Sequence, residues 1–139
     1  MDEKQVHHLD MIQAVINRMA QNSFTLKGWA LTLIAGTFAL SAKEANHWFM
    51  LVAIVPVVAF WGLDSYYLRL ESKFRQLHDE VRGLSGEEWS ASPFDMNPDR
   101  FDDRVDSWFK LLFSRSEAGY YMPVLIVTIG IVVAVLLMR

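Results

Sequence analysis

The sequence predicts an all-α membrane protein with three transmembrane helices. The first two form a hairpin extended into a cytoplasmic helical bundle, and an interfacial helix precedes the third. Three observations carry this reading. Hydrophobic residues make up 53% of the chain, above the ~45–50% of soluble domains, and gather into blocks at 24–42, 48–63 and 120–138. The last block runs for nineteen uncharged residues, about 30 Å of helix, which matches the hydrocarbon thickness of a bilayer. Outside the first two blocks, apolar residues recur at 3-and-4 spacing among charges, as in helices that leave the bilayer and pack together in water.

Residues 1–23 place Val6, Leu9, Ile12, Ile16 and Met19 on one stripe and read as a cytoplasmic amphipathic helix. Only Gly28 and Gly36 interrupt the helical pattern up to Ala42, and an apolar span tolerates isolated glycines. The segment is therefore one long helix, or two with a bend near Asn22 and Ser23, where Ser23 would cap the second. Span one is 24–42. The short loop "KEANH" makes it an antiparallel hairpin with span two, 48–67, which holds Asp64 in its last turn. Pro56 lies mid-span and removes a backbone donor, which predicts a kink there.

Span two continues without a turn residue into 68–83. Tyr67, Leu70, Phe74, Leu77 and Val81 repeat at 3-4-3-4, a bundle seam. Glu71–Arg75 and Arg75–Asp79 stand at i,i+4 on the outer faces. Leu9, Ile12, Ile16 and Met19 should meet Leu70, Phe74, Leu77 and Val81, which gains ~25 cal/mol per Å² of apolar surface buried. Residues 84–97 are loop, with "SGEE" from Ser85 as a capping box. Residues 98–114 read as the interfacial helix, with Asn97 as N-cap, Pro98 at N1, and an apolar face of Phe101, Val105, Trp108, Phe109 and Leu112. Span three is 120–138, and the whole chain, 1–139, is a single domain.

Lysines and arginines orient the spans. Eleven fall on the N-terminal flank and the long connection between spans two and three, against Lys43 in the first loop and Arg139 at the end. The positive-inside rule then puts the N-terminus and long connection in the cytoplasm and the C-terminus outside, in a bacterial inner membrane.

No cysteine is present, which excludes a disulfide framework, a thiolate metal site and a catalytic thiol. The net charge of −3 offers no basic field for nucleic acid. His7, His8 and Asp10 lack a third ligand at the right spacing and read as a solvated face, so no metal is expected. Neither a Ser-His-Asp set, a P-loop nor GxGxxG occurs, so neither an enzyme nor a cofactor is expected.

Asp64 is an acid within a span, which by default suggests function. Counted along the hairpin, Lys27 reaches a similar level, and an interfacial Lys27–Asp64 pair is the expected arrangement. A proton or ion relay is the weaker alternative, because one carboxylate without a second polar group makes a poor pathway. Gly28, Thr32 and Gly36 stand at i, i+4 and i+8, so a neighbouring backbone can approach closely. That neighbour is span two of the same chain or span one of another copy.

The runs "MIQAVINRMAQNSFTLKGW" and "FWGLDSYYLRLESKFRQLHDEVR", with "WFKLLFS" before the last span, resemble a group of small three-span bacterial inner-membrane proteins of uncharacterised function. The resemblance covers most of the chain and implies a shared interface cluster of Asn22, Lys27, Trp29, Asp64, Tyr67 and Arg69. It implies no activity. The expected function is a homo-oligomeric membrane effector or channel, gated through its cytoplasmic helices by a protein or a signal nucleotide. By analogy with small membrane-permeabilising effectors, antiviral defence is the expected setting. The alternative is a membrane-anchored adaptor that recruits a cytoplasmic protein.

Overall fold

The structure, a computed structural model, describes residues 1–43 and 47–138. Residues 44–46 of the "KEANH" loop and Arg139 lie outside the described residues. Among those described, every regular element is helical: α1 (Glu3–Ser41), a 3-10 segment (His47–Ala53), α2 (Ile54–Gly83), α3 (Gly86–Ala91), a 3-10 turn (Asp99–Arg104), α4 (Trp108–Leu112) and α5 (Arg115–Leu137). Three helical stretches are long and apolar enough to cross a membrane: Glu3–Ser41, Trp48–Gly83 and Arg115–Leu137. The chain divides into two compact units, Met1–Ser23 with Tyr66–Trp108 and Phe24–Ser65 with Phe109–Arg139.

The first unit has its own core. Ile12 and Ile16 of α1 meet Phe74, Leu77 and Val81 of α2, Trp89 of α3 and Phe101 of the 3-10 turn. Each fully buried side chain of this size contributes about 1.5–3 kcal/mol. The seam follows the 3-and-4 spacing, with a departure at its end: Val6 is exposed, while Gln5 and His8 are buried. Burial of Gln5 has a physical reason. Its amide donates to the carbonyls of Val81 (2.8 Å) and Leu84 (3.1 Å), where α2 ends and its last carbonyls lack helical partners.

His8 is likewise no solvated residue. The Trp89 indole N–H donates to its Nδ1 (3.0 Å), and its Nε2 faces the Asp95 carbonyl (2.9 Å). An indole only donates and a carbonyl only accepts, so His8 carries its proton on Nε2. Ser85 and Glu88 form the capping box that starts α3.

Residues 98–114 do not form one helix. Pro98, not Asn97, holds the cap position, without a side-chain cap bond, while Asn97 accepts from the Asp99 N–H (3.0 Å) in the turn before it. The chain then makes only a 3-10 turn, an extended residue at Val105 and the short α4. Charge on α2 explains the break. Arg69 takes the carbonyls of Asp102 (3.4 Å) and Asp106 (3.2 Å) together with the Asp102 carboxylate, acceptors that a continuous helix would need. Lys73 also pairs with Asp102 and Asp99. The expected apolar face is divided accordingly: Phe101 enters the core, whereas Phe109 is exposed.

In the second unit, Ala30 and Ile34 of α1 pack with Val57 of α2 and Tyr121 of α5. Pro56 is the third residue of α2, just past the 3-10 segment and within the helical stretch Trp48–Gly83. A second proline, Pro123, lies inside α5. Gly28, Thr32 and Gly36 face away from these contacts, and a Cβ added at either glycine would meet nothing within 4 Å. Thr32 Oγ1 donates to the Gly28 carbonyl within its own helix. The small-residue stripe therefore does not pack on span two of the same chain.

Candidate functional site

The polar centre of the second unit is built from three helices. α1 contributes Lys27, α2 contributes Asp64, and α5 contributes Glu117, Tyr120 and Tyr121. Lys27 Nζ pairs with Asp64 Oδ2 and lies 3.6 Å from Glu117 Oε1. Tyr121 donates its hydroxyl proton to Asp64 Oδ2 (3.0 Å), and Tyr120 donates to the Lys27 carbonyl (2.9 Å). The ammonium stands 5.6 Å from both tyrosine ring centres, within the range of cation–π attraction. Asp64, Tyr121 and Glu117 are at most 1% exposed, and the Lys27 side chain is 19% exposed.

Local chemistry directs Glu117 inward. Ser114 caps α5 by accepting from the Glu117 N–H (3.4 Å), in the S-x-x-E pattern of a capping box. In a full box the carboxylate would return to the cap's N–H. Here the Ser114 N–H is already bound to the Leu111 carbonyl (3.1 Å), and the Glu117 carboxylate reaches Lys27 instead. Four residues on, Tyr121 shares the same helix face. Trp61, three residues before Asp64, stacks on Tyr121 (6.1 Å between centres, 10° between planes) and donates to the Leu112 carbonyl (2.9 Å).

The site brings together two of the six residues that the sequence places in one interface cluster. Lys27 and Asp64 meet, while Trp29 is 57% exposed on α1. Asn22, Tyr67 and Arg69 belong to the first unit, where Arg69 holds Asp102 and Tyr67 stacks edge-on with Tyr66. Glu117, Tyr120 and Tyr121 are the additions. The S-x-x-E pattern before the last span is the signal for Glu117. Its presence also removes the objection that Asp64 is a lone carboxylate.

Among the described residues of this unit, three buried oxygens have no hydrogen-bond partner: Asp64 Oδ1, Ser65 Oγ and Glu117 Oε2. Leaving such atoms unpaired carries a substantial cost. Among the described residues, no group of three or more His, Cys, Asp or Glu is placed to hold a metal ion. Fold and site together define an all-helical protein with three helices able to cross a membrane and a buried acid–base centre joining them. Comparison with protein-family models, curated proteins and solved structures finds no match.

Proposed function

We propose that this is a three-span protein of the bacterial inner membrane that assembles from several copies and acts as a membrane effector or channel. Its second unit sits in the bilayer and its first in the cytoplasm, where a protein or a signal nucleotide gates it. The observation that carries this reading is the outward stripe of Gly28, Thr32 and Gly36. It is exposed on a helix long enough to span and has room for a backbone at both glycines. In lipid, such stripes favour close helix approach. The Lys and Arg distribution supports the orientation.

The test combines mass measurement in detergent with conductance of liposomes carrying purified protein. Wild type should be oligomeric and conduct, and replacing Gly28 and Gly36 by leucine should reduce both. A monomeric, silent wild type would remove the proposal. The adaptor reading keeps one observation in its favour: the first unit closes around its own core, as a module that recruits a partner would.

A further inference from the structure

Asp64 and Glu117 both reach the ammonium of Lys27. One ammonium balances one of their two charges. The imbalance is buried, since Asp64 is 0% and Glu117 1% exposed, and an uncompensated buried charge is strongly disfavoured. A second, independent observation points the same way. Each carboxylate keeps one buried oxygen without a partner. The groups around the acids are already committed: Tyr121 donates to Asp64, Tyr120 donates to the Lys27 carbonyl, and Lys27 serves both acids.

We propose that the Asp64–Glu117 pair is a binding site for one further positive charge, supplied by a proton or by a monovalent metal ion. Either occupant would neutralise the centre and use the unpaired carboxylate oxygens. A proton would sit on one carboxyl oxygen. A metal ion would take oxygen ligands from both acids. Binding or release would change the charge at a point that joins α1, α2 and α5. The proposal rests on the membrane placement of the second unit and not on any conducting activity, because occupancy is an equilibrium property.

Infrared spectroscopy and thermal unfolding of the full chain in nanodiscs test it. At neutral pH in choline chloride, a carboxylic-acid C=O band that Glu117→Gln or Asp64→Asn removes identifies the proton as occupant. Should a variant not fold, selective ¹³C labelling of aspartate or glutamate side chains assigns the band in wild type. Without such a band, a saturating rise in unfolding temperature with sodium or potassium identifies a metal ion, provided Glu117→Gln abolishes the rise. Two ionised carboxylates at neutral pH, with the same unfolding temperature in sodium, potassium and choline, would overturn the proposal. A protein that binds the charge but leaves liposomes sealed would uphold this site and count against the effector reading.

Discussion

Replacing Lys27 by methionine keeps most of the side chain's length and removes the charge that Asp64 and Glu117 share. With Glu117 ionised, two unit charges 3.6 Å apart, the distance from Nζ to Glu117 Oε1, attract by about 5 kcal/mol at an effective dielectric constant of ~20; with the proton on Glu117 the cost falls on Asp64 alone. Asp64 is nearer still. Against this stands the lysine's own desolvation, lessened by the 19% of its side chain still open to solvent. Deleting one partner of a buried ion pair costs about 3–5 kcal/mol, chiefly because the other is left uncompensated. Lys27→Met should therefore lose about that much in an SDS titration followed by tryptophan fluorescence, with Trp61 stacked beside the site as a local reporter. Asp64→Asn should cost less, because Lys27 keeps Glu117. Adding Glu117→Gln to Lys27→Met should recover part of the loss, so the double variant falls short of the sum of the singles. A loss under about 1 kcal/mol, or strictly additive changes, would refute the shared-charge reasoning.

Further outcomes concern the first unit and the topology. Leu77→Ala removes a 0% exposed side chain from the core and should cost about 2–5 kcal/mol in chemical denaturation; a cost below about 1 kcal/mol would mean that the core is not formed. Gln5→Ala leaves the Val81 and Leu84 carbonyls without their side-chain donor and should cost about 1–3 kcal/mol in the same assay. Glu88 and Asp102 lie below the ordinary carboxylate range, Glu88 through the Ser85 N–H and hydroxyl, and Asp102 chiefly through Lys73 and then Arg69. Their stabilisation is complete above the unfolded values of about 4 and is lost as pH falls through the lowered folded values; Lys73→Met should flatten the Asp102 part of an acid unfolding profile. A periplasmic reporter fused after the last residue should be active, and one fused before Met1 inactive; the reverse pattern would overturn the proposed orientation.

What sequence alone can show depends on whether a local pattern carries the information. The meeting of Ile12 and Ile16 with Phe74, Leu77 and Val81 follows from helical period, and the Lys27–Asp64 pair from counting residues along a hairpin. Glu117 is harder to see, because it stands ahead of an uncharged run and its direction depends on the Ser114 N–H being bound elsewhere. The burial of His8 depends on Trp89, distant in sequence, and no periodicity reports such a partner. The helix expected over 98–114 fails for a tertiary reason, since Arg69 takes its carbonyls. The 3-10 segment just before Pro56 is not legible either, because hydrophobicity alone does not reveal where it gives way to α2.

The three-helix origin of the acid–base centre has a consequence for biosynthesis. Lys27 and Asp64 are made first, and Glu117 and Tyr121 emerge from the ribosome only some fifty residues after Asp64. Until then Asp64 lacks the hydroxyl of Tyr121, and the stacked partner of Trp61 does not yet exist. A nascent chain halted before α5 is therefore left with a half-built polar centre. Completion of the centre waits on the synthesis of α5.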